Sequence, residues 1–275
     1  MKKKILLLIT SFILSFCILT GCGRTSTTNP RVEAYEKFLD GEMDVIVENS
    51  ELVNYPEAGT YSLQNLADAA YKLYYGQDSP EFVTQYSVFM PQNGEKGDDV
   101  LAIRVKTSGH EDFGWIGFIA FNDGKLEMKY CSDYGYRTFL ELYDNGDVVK
   151  GGSGGAGTLY SDYLNILPDG SAKVIYKSAT LYSDWCNEIF YSLDPDYAEI
   201  PMPSDSSILK IIKVEKDGNI YICADQWSDD DTIKAQEEAY VQELEELGAI
   251  VTEEATITEM LKTGSNMKEM KWTDQ

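Results

Sequence analysis

Residues 115–130 read WIGFIAFNDGKLEMKY, two apolar segments rich in aromatic and β-branched residues, joined by Asp123-Gly124. Asx-Gly pairs supply the positive-φ positions of tight hairpins, so this stretch predicts two antiparallel strands and a short turn. Three further pairs follow downstream: Asn145-Gly146, Asp169-Gly170 and Asp217-Gly218. Parallel neighbours would require long crossover connections. The succession of short hairpins therefore predicts an antiparallel meander.

Segments rich in Val, Ile, Tyr and Phe recur about every ten residues between residues 82 and 224. The strand candidates are 82–90, 100–106, 115–121, 126–130, 136–143, 158–166, 172–176, 188–193, 209–214 and 220–224. We therefore predict an α+β protein built on a single antiparallel β-meander with flanking N- and C-terminal helices. A barrel, a sandwich and a propeller-like arrangement all fit the pattern.

The N-terminal helices are predicted from apolar spacing and from residues that begin or end helices. Residues 31–39 carry apolar side chains at helical spacing and are followed by Asp40-Gly41. Ser62 is a suitable N-cap for a second helix, which Gly76 ends.

The C-terminal helices are predicted in the same way. A helix follows Asp229-Asp230-Asp231, whose acids suit its positive end, and Gly248 ends it. Residues 249–252 suit a short strand. Thr256-x-x-Glu259 resembles a capping box and predicts the start of a last helix.

Residues 1–21 have the layout of a bacterial export signal. Three lysines precede an apolar run over residues 5–19 that is too short for a comfortable membrane span. Leu19-Thr20-Gly21-Cys22 follows and resembles the lipobox of bacterial lipoproteins. The resemblance implies that the Cys22 thiol carries a diacylglycerol and that the signal is cleaved before it. The alternative is an ordinary secretory signal with an incidental cysteine.

These patterns predict four regions along the chain. Residues 1–21 are a lipoprotein signal peptide, and residues 22–30 are a lipid-anchored flexible tether. Residues 31–224 form a β-rich domain with N-terminal helices. Residues 225–275 form an acidic helical segment that packs on the same domain.

The charge of the chain excludes some classes of partner. Its net charge is −23, so it repels the phosphates of nucleic acids, and no nucleic-acid partner is expected. Cys131, Cys186 and Cys223 are odd in number and show no C-x-x-C spacing, which argues against a zinc site. One disulfide with a spare thiol and three buried thiols both fit the sequence.

The glycine-rich residues 151–157, GGSGGAG, do not predict a nucleotide site. A phosphate-binding loop leads into a helix, and a P-loop also carries Gly-Lys-Ser/Thr, whereas a strand-like segment follows here. We expect a bulge or corner where backbones approach closely, and no nucleotide.

No catalytic residue is assigned. His110 is the only histidine, lies in a polar, glycine-flanked stretch between strands and reads as a surface loop residue. The chain has no Gly-x-Ser-x-Gly elbow for a hydrolase triad. Paired carboxylates for glycoside hydrolysis are available, but with 46 acidic residues their presence is uninformative.

No metal or other cofactor is predicted either. Residues 93–99 and 194–196 cluster oxygen ligands in turns, without the spacing by which one loop wraps calcium. The tryptophans either stack on sugars or pack in the core, and β-rich proteins favour the core. They are Trp115, Trp185, Trp227 and Trp272.

Several of these features together resemble uncharacterised exported lipoproteins of low-GC Gram-positive bacteria. The resemblance rests on the lipobox, on residues 34–41 (AYEKFLDG), on the glycine-rich connection and on the EEAY segment at residues 237–240 that leads to the closing Thr-x-x-Glu helix. Members of this group often carry D-x-D-G-x-x-E-L where this chain has NGEKGDDVL. The departure removes the best argument for a calcium-binding turn. The resemblance implies an extracytoplasmic location and no particular activity.

The sequence therefore predicts a lipoprotein on the outer face of the cell membrane, anchored through lipidated Cys22. The expected role is non-enzymatic, as a binding or interaction module for a glycan or an envelope protein. The alternatives are a carboxylate-dependent hydrolase of envelope glycans and a structural accessory of an envelope complex.

Overall fold

The structure confirms the α+β class. The computed structural model describes residues 29–48, 56–75, 82–107, 110–135, 137–155, 158–182, 210–225, 229–262 and 267–275, and Arg31–Gln275 form one compact unit. The described helices are α1 (Pro30–Leu39), α2 (Leu63–Tyr75), α3 (Asp231–Glu246) and α4 (Glu254–Met260). The described strands are β1 (Val45–Val47), β2 (Gly59–Tyr61), β3 (Phe82–Phe89), β4 (Val100–Thr107), β5 (His110–Asn122), β6 (Lys125–Tyr134), β7 (Thr138–Leu142), β8 (Asp147–Gly155), β9 (Thr158–Ile166), β10 (Ala172–Tyr182), β11 (Lys210–Lys216), β12 (Asn219–Asp225), β13 (Ile250–Val251) and β14 (Thr273–Asp274). The strand candidate at 188–193 lies outside the described residues.

The strands form two seven-stranded sheets rather than one. The first sheet has the order β14-β3-β4-β5-β6-β1-β2, and the second has the order β13-β12-β11-β10-β9-β8-β7. Most neighbours are antiparallel, but β1 runs parallel to β6 and β13 runs parallel to β12. In the described residues both sheets are open and mixed. The predicted single antiparallel meander is therefore not confirmed, because two parallel pairings and a division into two sheets interrupt it.

The Asx-Gly turns join antiparallel neighbours at all four predicted positions. Asp123 and Gly124 have φ values of 47° and 81°, and Asp217 and Gly218 have values of 51° and 77°. Positive φ at both central residues is the type I′ geometry that matches the twist of a two-residue hairpin. The hairpin prediction is thus correct at the level of single turns.

Three of the predicted helix signals are confirmed. Ser62 Oγ accepts a hydrogen bond from the backbone N–H of Asn65 at 3.3 Å, just before α2. Asp230 caps α3, because its carboxylate accepts from the backbone N–H groups of Thr232 and Ile233. Gly248 follows this helix with a φ of 98°.

The capping box predicted at Thr256 is wrong. Helix α4 begins at Glu254, and its N-cap is Glu253, which makes no side-chain cap hydrogen bond. Thr256 already lies in the first turn, where its N–H donates to the carbonyl of Glu253 at 3.0 Å. The motif was therefore placed about one turn too late in the chain.

Strand β4 shows how the layers pack, because successive side chains of a strand point to opposite faces. Leu101, Ile103 and Val105 join a buried cluster with α1 and α2. Val100 and Ala102 join a second cluster that includes residues of β8 and β9. The first sheet thus lies between helices α1 and α2 on one side and the second sheet on the other.

The outer face of the second sheet is covered in part by α4. Ile257 of this helix packs in a buried cluster with Tyr176, Ile212, Val214 and Cys223. Helix α4 therefore packs over β10, β11 and β12.

Residues 267–275, named the clasp here, bind the edges of both sheets. The N–H of Met270 donates to the carbonyl of Leu142 in β7 at 2.9 Å, and the Met270 side chain is buried between the sheets. The ring of Trp272 lies 4.3 Å from the guanidinium carbon of Arg104. Strand β14 then pairs antiparallel with β3. The sequence analysis placed these residues in the C-terminal helical segment of residues 225–275, without a helix or strand of their own.

Cys131 and Cys223 are buried as thiols, one in the cluster under α1 and α2 and the other in the cluster under α4. Cys186 lies outside the described residues. None of the four described helices has the length and apolar character that a membrane span requires.

Candidate functional site

The residues singled out from the sequence do not converge on one site. Cys22 lies outside the described residues, as do Asp194 and Asp196 of the second calcium candidate. His110 begins β5, where its backbone pairs with Thr107, so the loop placement predicted for it is wrong. The hairpin between β4 and β5 is tighter than the polar sequence around it suggested.

The glycine-rich stretch is a close backbone approach, as predicted. Gly152 lies in β8, and a Cβ atom there would come within 2.3 Å of the carbonyl oxygen of Arg137 and 2.9 Å of Thr138 Cα. The register between β8 and β9 shifts between Ser153 and Gly155. Over its described part, this stretch is a structural contact between strands.

The first calcium candidate has its central carboxylate engaged by the protein. Asp98 Oδ2 accepts a hydrogen bond from the N–H of Glu95 at 2.9 Å, and Asp98 Oδ1 lies 3.5 Å from a guanidinium nitrogen of Arg31. Within the described ranges, no group of three or more His, Cys, Asp or Glu residues is arranged to hold a metal ion.

The described tryptophans have structural positions. Trp115 is 2% exposed and lies in the core. Trp272 belongs to the clasp, and Trp185 and Trp227 lie outside the described residues. The core reading is therefore confirmed for Trp115.

A buried polar cluster at the turn between β7 and β8 is also structural. The carboxylate of Asp147 accepts from the side-chain amides of Asn145 and Asn165 at 2.7 and 2.8 Å. Tyr163 donates a further hydrogen bond to it, which adds to burial in raising the pKa of that tyrosine. The cluster satisfies its own hydrogen bonds and fixes the turn.

The strongest candidate site is a row of alternating charges across four strands of the second sheet. Lys150 in β8 pairs with Asp162 in β9, Asp162 pairs with Lys177 in β10, and Lys177 pairs with Glu215 in β11. Directly opposite residues project from the same face of a sheet. The four side chains therefore form one row, named the charge row here, in the order plus, minus, plus, minus.

The charge row borders a cavity of about 290 Å³, named the cleft here. Its lining residues are Tyr160, Asp162, Lys177, Ser178, Ala179, Lys213 and Glu215. The Lys213 side chain is only 2% exposed, and its Nζ lies 3.0 Å from Oε1 of Glu215. Lysine is almost never this buried unless it is paired, so the cleft contains a charge that the fold itself partly neutralises.

Burial also perturbs the acids of the cleft. It raises the pKa of Asp162 above its usual value, although the positive charges of Lys177 and Lys150 act to lower it. Burial likewise raises the pKa of Tyr160, and the negative charges of Asp133 and Asp162 add to the effect. A perturbed carboxyl group in a cleft is a common property of functional sites.

Sequence reasoning missed the cleft because its residues come from three strands spread over residues 160–215. Each charge looks like an ordinary solvent-facing residue when its strand is read alone. Of the four charges only Asp162 lies inside a predicted strand, because β8 was not predicted and the strands that carry Lys177 and Glu215 were predicted to end one residue before them.

The raised pKa of Asp162 gives a pH-dependent prediction for stability. The stability that the folded state gains from protonating Asp162 is present below about pH 4 and is lost as pH rises through the raised pKa. Asp162→Asn, which stays neutral, should therefore become more stable relative to the wild type as pH rises from 3.5 to 7. Urea unfolding at both pH values measures the difference.

Asp217→Asn in the exposed β11–β12 turn is the matched control for this substitution. It removes the same charge from a turn outside the cleft and therefore measures the effect of losing a surface carboxylate by itself. A flat or falling difference for Asp162→Asn would contradict the electrostatic account of the cleft.

Comparison of the chain with protein-family models, with curated proteins and with solved structures gave no match.

Proposed function

We propose that this chain is a membrane-anchored lipoprotein of the outer cell surface that acts as a non-enzymatic binding module. Lipidated Cys22 holds it at the membrane. The cleft binds a small polar part of an envelope component, either a glycan or a group presented by an envelope protein.

The buried Lys213 in the cleft is the observation that carries this proposal. Moving an ammonium group out of water is costly, and apolar residues of similar size often stabilise a fold as well or better. A fold that retains such a charge beside a cavity has groups ready to contact a polar ligand. Small-molecule sites combine this kind of concavity with a few convergent polar groups.

The position of Arg31 supports action close to the membrane. Its guanidinium donates a hydrogen bond to the carbonyl of Pro168 at 3.0 Å and pairs with Asp98, so this residue is held against the β-rich body. Arg31 is the ninth residue after Cys22. At about 3.3–3.6 Å per residue, an extended tether of this length spans about 30 Å.

Hydrolysis of envelope glycans is a second candidate, favoured by the two carboxylates that line the cleft. Asp162 and Glu215 lie two strands apart, about 10 Å between backbones. This is near the upper end of the carboxyl separation in inverting glycosidases. However, Glu215 is held by Lys213, and Lys177 lies between the two acids. The arrangement therefore favours binding over activation of a water molecule.

The test uses soluble fragments from enzymatic digestion of cell-wall polymers as the probe, titrated against the full chain in detergent. We expect binding with a micromolar Kd and at least tenfold weaker binding for Lys213→Met and Lys177→Met. Lys173→Met is the matched control, because Lys173 is, like Lys177, an exposed lysine of β10, and it pairs with Asn165 on the opposite face. It should bind like the wild type.

Absence of binding, or equal binding by all four proteins, would refute the cleft as the binding site. Release of reducing ends from the fragments by the wild type, lost in Asp162→Asn, would favour the hydrolase instead.

A further inference from the structure

The cleft is electrically balanced although the chain is strongly acidic. Two lysines and two carboxylates line it, in a chain whose net charge is −23. A surrounding field of this sign repels simple anions over long distances, whereas it does not repel a ligand of zero net charge.

Asp162 and Lys213, two opposite charges of the cleft, are separated in space by a small residue. Ala179 in β10 pairs with Tyr160 on one side and with Lys213 on the other. Its methyl group leaves open space between these two larger side chains. Asp162 lies two residues from Tyr160 on β9, diagonally across this gap from Lys213, so a carboxylate and a buried ammonium group that pairs with Glu215 lie on opposite sides of the cavity.

We infer that the cleft binds a zwitterion, with the carboxylate of the ligand at Lys213 and its ammonium group at Asp162. This inference rests on the proposed function and specifies its ligand class. A simple anion would leave Asp162 without a new counter-charge, and a simple cation would do the same for Lys213. A zwitterion supplies both partners at once.

The environment of Asp162 supports this orientation. Asp162 is half-buried, and desolvation disfavours its ionised form even with Lys150 and Lys177 beside it. A ligand ammonium group that donates hydrogen bonds to this carboxylate would stabilise the ionised form.

The volume of the cavity suits a group of the size of a free amino acid or a dipeptide. A volume of about 290 Å³ lies at the low end of small-molecule sites, which span about 300–1,000 Å³. A long glycan or peptide could place only one end there.

The experiment compares four defined probes by calorimetry on the full chain in detergent. They are glycylalanine, its N-acetyl form, its C-terminal amide and a neutral disaccharide. Glycylalanine should bind tightest, and blocking either end should weaken binding at least tenfold.

Two variants then assign the two ends of the ligand. Lys213→Met should weaken glycylalanine and its N-acetyl form while leaving the amide unchanged. Asp162→Asn should weaken glycylalanine and the amide while leaving the N-acetyl form unchanged. Lys173→Met should change none of them.

The outcomes separate this inference from the proposed function. If the disaccharide binds tightest and Lys213→Met weakens it, the cleft is a binding site but the zwitterion inference is overturned. If cell-wall fragments bind and none of the four probes does, the inference is again overturned alone. If neither the fragments nor the probes bind, both the zwitterion inference and the proposed function are refuted.

Discussion

Replacing Cys22 with serine is expected to release the chain from membranes almost completely. A serine hydroxyl does not replace the thiol that a lipoprotein anchor is built on. Each buried lipid methylene contributes about 0.8 kcal/mol, so two or more acyl chains hold a protein essentially permanently, and losing them removes that binding. Membrane fractionation of cells that express the two forms measures the effect, and mass spectrometry of the N-terminus identifies the lipid.

Cys17→Ser is the matched control, because it makes the same substitution within the apolar part of the signal. It should leave the chain in the membrane fraction. If Cys22→Ser also remains there after a high-salt wash, the lipid anchor is refuted, and with it the membrane-bound part of the proposed function.

Deleting residues 267–275 is expected to cause the largest loss of stability of any change described here. The deletion removes the buried Met270 side chain, the ring of Trp272 and the strand that pairs with β3. Met270→Ala is the graded version and should lower the unfolding free energy by about 2–5 kcal/mol, the usual range for truncating a buried methionine. Urea denaturation measures both.

Lys271→Ala provides the control within the same segment, because Lys271 is exposed. It should change the unfolding free energy by no more than about 0.5 kcal/mol. If Met270→Ala behaves like Lys271→Ala, the clasp does not hold the sheets together.

Local structure could be predicted well from this sequence because its signals are local. Asp123-Gly124 and Asp217-Gly218 adopt the positive φ values that their residue types allow, and Ser62 caps a helix as expected. The acids predicted at the start of α3 lie there, with Asp230 as its N-cap. The capping box predicted at Thr256 was wrong because it also rested on a local signal. The two-residue motif occurs by chance inside a helix, whereas the true N-cap, Glu253, makes no side-chain hydrogen bond.

The division into two sheets could not be predicted because it depends on long-range pairing. Strand β4 is apolar on both faces, which fits a strand covered on both sides, but the sequence does not say by what. The parallel partners of β6 and β12 are equally remote. β1 lies about 80 residues before β6 in the chain, and α3 separates β12 from β13.

The candidate site could not be predicted from the sequence either, because it also depends on how the strands pair. A charge row exists only in a particular register, and a slip of one residue would move each charge to the other face of the sheet. The bulge between Val174 and Tyr176 sets that register for Lys177. Nothing in the residue types around it predicts such an irregularity.

The clasp also constrains when the fold can be completed. Residues 267–275 supply contacts to β7 and β3, so a nascent chain lacks part of the edge of both sheets until these residues have been synthesised. Contacts this distant in sequence form slowly. If the chain is exported as we propose, this late completion would keep it suited to crossing a membrane in an extended form before it folds.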